Sequence, residues 1–122
     1  MYGKSNISEI NRLKFENFLW ILFACLCIMN VYGDYDEIKY LISNNKNFEQ
    51  KADTIFEITL IITFLIYIYF FLRNYKAYKY ATIEEKNLYT IKLLGSSLLI
   101  AGVLCLLYFQ TKQTSFTGSP AL

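Results

Sequence analysis

A chain of 122 residues holds one domain at most, and a formal net charge of +2 is too small to mark a nucleic-acid binder. Apolar types make up 55% and charged types only 18%, against roughly 25% charged in an ordinary soluble domain. The charges are also segregated: none falls in 18–29, 58–72 or 93–110, and a domain this small has too little interior to hide three helices apolar on every face, which speaks against a soluble globule and for lipid.

Residues 1–17 are polar and mixed in charge. Asn6-Ile7-Ser8-Glu9 has the spacing of a helix start, with Asn as cap and Glu reaching back. Ile7, Ile10 and Leu13, with Phe15 or Phe18, allow a short amphipathic helix on the membrane surface. The first span is predicted over 18–32. At 1.5 Å per residue it measures about 22 Å, short of the roughly 30 Å hydrocarbon core. Leu13 and Phe15 extend it if Lys14 and Glu16 sit at headgroup depth, and Gly33-Asp34 is expected to end it.

Lys4, Arg12 and Lys14 before an apolar run also raise a signal peptide, and Leu22-Phe23-Ala24-Cys25 loosely resembles a lipoprotein cleavage site. Phe23 is bulky where that pattern favours a small or β-branched residue, and the apolar run continues past Cys25 to Tyr32. A retained span is the better reading.

Residues 34–51 read as a polar loop with an acidic start (Asp34, Asp36, Glu37) and an Asn-rich stretch over 43–47. Asp34 to Glu37 suit the cap of one or two turns through Ile42. Thr54-Ile55-Phe56-Glu57 has capping-box spacing and is expected to open the second span, 55–72, about 27 Å long. Its β-branched residues do not indicate a barrel strand, because the run does not alternate apolar with polar. Residues 73–87 form the second predicted loop, rich in basic and tyrosyl side chains. Thr82-Ile83-Glu84-Glu85 should start the third helix, whose span covers 88–109 and measures about 33 Å. The Ser/Thr-rich tail over 110–122, with the only proline, is expected to be disordered.

With three spans, the N-terminus and second loop share one side of the membrane. That side holds Lys4, Arg12, Lys14, Arg73, Lys76, Lys79 and Lys86, and Lys92 reaches it by snorkelling; the other side holds Lys39, Lys46, Lys51 and Lys112. The positive-inside rule therefore predicts a cytoplasmic N-terminus and an outer C-terminus.

Candidate sites are few. Glu57 is the carboxylate nearest a span, and its place three residues after Thr54 assigns it to capping rather than to ion or proton transfer. Lys92 is accounted for by snorkelling past Tyr89 or by a bond to Tyr69 at similar depth. Arg73, Tyr75, Lys76, Tyr78, Lys79 and Tyr80 interleave basic and aromatic residues directly after a span. Such a pattern is an anionic-lipid interface before it is a nucleic-acid surface. Gly95, Ser97, Ala101, Gly102 and Cys105 place small residues at four- and seven-residue intervals on the third span, a predicted helix-packing face. Asn30 and Thr59 fall at similar depths and are expected to hydrogen-bond. Cys25, Cys27 and Cys105 lie within apolar segments and read as packing residues, not as a redox or metal pair.

With no His, no HExxH, no phosphate-binding loop, no GxSxG and no paired carboxylates in a span, no enzyme activity and no cofactor is expected. A secondary transporter usually needs more helices. The expected fold is an all-α integral membrane protein, one membrane domain over 1–122, with three transmembrane helices. The expected role is an accessory subunit of the cell membrane that packs on a membrane-protein partner through its third helix. A holin-like or small self-assembling pore protein and a toxin-immunity membrane protein are the alternatives. The bilayer itself is the first partner, then a membrane protein or a homo-oligomer, with no nucleic acid.

Overall fold

The computed structural model describes residues 4–112. Three helices account for nearly all of them: α1 (Lys4–Ser43), α2 (Lys46–Lys79) and α3 (Lys86–Lys112). Each is long and apolar enough to cross a membrane. At 40, 34 and 27 residues they run about 60, 51 and 40 Å. Among the described residues there is no strand. Lipid-facing character is visible in the burial pattern: Trp20, Ile21, Leu65, Leu88, Leu98 and many other large apolar side chains point outward. Such a surface is unfavourable in water and suited to hydrocarbon.

Several predicted boundaries are corrected. No separate interfacial helix precedes the first span; α1 is continuous from Lys4 and passes through Gly33 and Asp34 without a break. The predicted 34–51 loop shrinks to two residues. Asn44 adopts φ 57°, the left-handed conformation that Asn tolerates better than most side chains, and its N–H bonds Tyr40 O at 2.7 Å. Asn45 then caps α2, its Oδ1 accepting from Asn47 N at 3.0 Å. Helix α2 thus starts two turns before Thr54, so Thr54 and Glu57 lie inside the helix and cap nothing. At its other end α2 runs on through Arg73 to Lys79, and Tyr80 N closes it on Lys76 O at 3.2 Å. Thr82 to Glu85 do lead into α3, through Lys86 N to Thr82 O at 3.0 Å. Gln110 to Lys112 belong to α3, and the rest of the predicted disordered tail, 113–122, lies outside the described residues.

Helix α2 is central. Both α1 and α3 pack against it, and their backbones do not approach one another. The α1 seam follows alternating steps of three and four: Glu16, Leu19, Phe23, Leu26, Asn30 and Gly33 meet α2 at Phe56, Thr59, Ile66, Phe70 and Arg73. This is the antiparallel heptad seam of a helical hairpin. Its register is fixed at three levels, where Glu16, Asn30 and Gly33 stand opposite Arg73, Thr59 and Phe56. The helices come close at Gly33, where a Cβ would sit 2.5 Å from the Phe56 ring, so this glycine admits the buried aromatic. The α3 seam uses Ser96, Val103 and Gln110, spaced by one heptad. Asn74 Nδ2 donates to Ser96 Oγ at 2.5 Å at one end, and Gln110 bonds Asp53 at the other.

Candidate functional site

Polar side chains at membrane depth need partners, because hydrocarbon offers none. The predicted Asn30–Thr59 bond forms: Thr59 Oγ1 lies 3.1 Å from Asn30 Oδ1 and 2.9 Å from its own helix at Phe56 O. Glu16, expected only to sit at headgroup depth, is the most enclosed carboxylate, 6% exposed. Arg73 Nε lies 3.1 Å and Arg12 3.7 Å from its Oε2, and Tyr69 donates its hydroxyl at 3.3 Å. Tyr69 therefore serves Glu16 and not Lys92. Burial of a carboxylate costs several kcal/mol unless paired, and two guanidiniums with a phenol supply the pairing. Arg12 also pairs with Glu9, and Arg73 lies over the Phe70 ring at 6.0 Å. The i, i+4 spacing of Arg12 and Glu16 was the one local sequence signal for this cluster.

The predicted basic–aromatic interface divides into two sets. Arg73, Lys76 and Tyr80 turn toward a polar pocket of about 410 Å³ at the end of the bundle that carries the N-terminus and the 80–85 connection. Arg12 comes to it from α1 and Lys92, with Tyr89, from α3. Tyr75 and Lys79 are exposed away from that pocket, and Tyr78 stacks under the Lys86 ammonium at 5.4 Å. Below the pocket, α1 and α3 leave an open groove whose floor is α2. Arg73 and Lys92 line both the pocket and the next cavity, about 230 Å³, beside Trp20 and Leu99. Tyr67 links that cavity to a third of about 450 Å³, walled by Leu26, Cys27 and Val103.

The predicted small-residue face falls elsewhere. Gly95, Ala101, Gly102 and Cys105 are exposed, Ser97 is half-buried, and Ser97 Oγ bonds Leu93 O of its own helix at 3.0 Å. Nothing lies within 4 Å of a Cβ built on Gly95 or Gly102. At about 100° per residue, Ala101 and Cys105 point nearly opposite to Ser96, Val103 and Gln110, whereas Gly95 and Gly102 stand at roughly right angles to that seam. Helix α3 thus packs on α2 by one side, leaves Ala101 and Cys105 on the other, and carries Gly95 and Gly102 on its flank. The three cysteines are free and exposed, so none is buried within the three-helix bundle itself. Among the described residues no three His, Cys, Asp or Glu side chains gather as a metal site.

Fold and burial together define a small multi-pass membrane protein of three helices. Comparison with protein-family models, with curated proteins and with solved structures finds no match.

Proposed function

We propose that this chain is a non-enzymatic accessory subunit of the cell membrane, which packs on a membrane-protein partner through the outward face of α3. The observation that carries the reading is the exposure of Gly95, Ala101, Gly102 and Cys105, with Ala101 and Cys105 on the side of α3 turned away from α2 and the two glycines on its flank. Helix association in lipid rests on close backbone approach at small residues, and here those residues are not consumed within the chain. The strongly polar groups of the α1–α2 seam are engaged with one another, Glu16 with Arg73 and Asn30 with Thr59. They act as structural ties, which supports a packing role over catalysis. The surplus of Lys and Arg at the end holding Arg12, Arg73, Lys76 and Lys92 supports a cytoplasmic N-terminus and an outer C-terminus.

The test is Ser97→Leu with Ala101→Leu. Hydrophobicity hardly changes, so insertion and detergent stability should survive while a co-purifying partner is lost. Loss of a crosslinked homo-oligomer instead would favour the self-assembling reading. Retention of both partner and oligomeric state would remove the α3 face from any mechanism.

A further inference from the structure

The groove between α1 and α3 combines two features that are separate elsewhere on the molecule, a basic mouth and an apolar trough. Four cationic side chains from three different helices, Arg12, Arg73, Lys76 and Lys92, converge on the mouth. Two carboxylates accompany them, and both are engaged: Glu9 with Arg12, Glu16 with Arg12 and Arg73. Lys76 and Lys92 pair with no carboxylate among the described residues. The mouth thus keeps an excess of two formal positive charges, at the end of the helices where the charge-free stretches 58–72 and 93–110 give way to basic residues. Tyr80 and Tyr89 line it as hydroxyl-bearing walls, the side chains favoured at headgroup depth.

The trough adjoins the mouth through shared walls. Arg73 and Lys92 belong to the walls of both the mouth and the first apolar cavity, and Tyr67 to the walls of both apolar cavities. Because the backbones of α1 and α3 do not meet, this face of α2 is left to whatever fills the groove. A free phosphate would use the mouth and leave the trough vacant. A helix of a partner protein would fill the trough and leave two lysines unneutralised.

We propose that the groove binds one anionic phospholipid, its phosphate held at the mouth by Lys76, Lys92, Arg12 and Arg73 and an acyl chain laid along α2 past Tyr67 toward Leu26 and Val103. The proposal rests on the membrane reading but not on Ser97, Ala101 and Cys105, which are turned away from the groove wall that Lys92, Leu99 and Leu106 form on α3. Charge selects the headgroup: each unpaired lysine contributes about fivefold in affinity, the equivalent of one basic residue at an anionic surface.

Native mass spectrometry of the full chain, released from detergent after incubation with phosphatidylglycerol or phosphatidylcholine of identical acyl chains, tests it. One phosphatidylglycerol should remain bound, and phosphatidylcholine should not. Lys76→Gln with Lys92→Gln should weaken retention about 25-fold, whereas Lys79→Gln, a lysine outside the pocket, should change it less than twofold. Cys27→Trp, which fills the trough from an exposed position on α1, should reduce retention while leaving the mouth intact. Thermal stability in detergent, followed for every variant, separates lost binding from lost folding. Ser97→Leu with Ala101→Leu should retain lipid like the wild type, so failure of the partner surface and failure of the lipid site are distinguishable.

Equal retention of the two lipids, or equal loss in Lys79→Gln and the double Gln variant, would overturn the proposal. Displacement of bound lipid by millimolar glycerol phosphate would overturn it in favour of a soluble anion site. Persistence of phosphatidylglycerol in Cys27→Trp at wild-type levels would remove the acyl chain from the groove.

Discussion

Gly33→Ala is a substitution whose sign, not only size, separates two views of one residue. If Gly33 merely weakened a helix, alanine would stabilise it by about 1 kcal/mol, the propensity difference between the two. The structure gives it a different task. A Cβ at this position would lie 2.5 Å from Phe56 Cε1 and 2.9 Å from Cζ, closer than carbon atoms approach. Phe56 is 0% exposed, so its ring has no free space to retreat into, and either the ring leaves its rotamer or the two helices separate. Overpacking of this kind costs about 1–3 kcal/mol, and two ring atoms inside 3.0 Å put the cost in the upper half. The net expectation is destabilisation of about 1–2 kcal/mol. Thermal unfolding in detergent micelles, followed by circular dichroism, measures it. Gly95→Ala and Gly102→Ala are the internal controls: with nothing within 4 Å, they should be neutral or stabilising. Gly33→Ala with Phe56→Leu should be less destabilised than the two single changes added together, because the added methyl clashes with nothing once the ring is gone and fills part of the void the leucine leaves. A Gly33→Ala protein as stable as the wild type would refute the close contact and with it the α1–α2 register.

Other substitutions probe the polar ties. Glu16→Ala leaves Arg73 unpaired and should cost about 2 kcal/mol, below the 3–5 kcal/mol of fully buried pairs because the Arg73 side chain keeps 27% of its surface; a double-mutant cycle should show stronger coupling of Glu16 to Arg73 than to Arg12, following 3.1 against 3.7 Å. Asn30→Val should cost only about 0.6 kcal/mol, the average for such bonds in lipid, since Thr59 falls back on Phe56 O; a loss above 2 kcal/mol in detergent unfolding would show that Asn30 does more than meet Thr59. A reporter active only in the cytoplasm should work when fused after Lys79 and fail when fused at the C-terminus, and activity at the C-terminus would mean that one span does not cross.

The three apolar segments were legible because none alternates and none contains a charge over its central turns. The Asn30–Thr59 bond was legible too, since both polar residues fall near the same end of two antiparallel apolar runs, which brings them to one depth. Helix boundaries were not. Gly33-Asp34 looks like a stop signal, yet the glycine is a packing cleft for Phe56 inside a continuous helix. Thr54 and Glu57 have capping-box spacing, but Asn45 caps α2 first, once Asn44 has taken the left-handed turn. The heptad of Glu16, Leu19, Phe23, Leu26, Asn30 and Gly33 is present in the sequence but masked, because lipid-facing residues of α1 are as apolar as those of the seam. For the same reason the small residues of α3 could not be assigned to an inner or outer side before the positions of Ser96, Val103 and Gln110 were known. The basic mouth was half visible: Arg73, Lys76 and Tyr80 stand together in the chain, whereas Arg12 and Lys92 join them only through the packing of three helices.

The central claim is that α1, α2 and α3 all reside in a bilayer, and alkaline carbonate extraction tests it most directly. Membranes from cells expressing the full chain are washed at high pH, which strips peripheral proteins and opens vesicles but leaves spanning helices in place. With Trp20, Leu65, Leu88, Leu98 and the other large apolar side chains facing outward, the protein should stay wholly in the pellet and enter solution only with detergent. Its appearance in the carbonate supernatant as a folded monomer would contradict the spans and everything built on them.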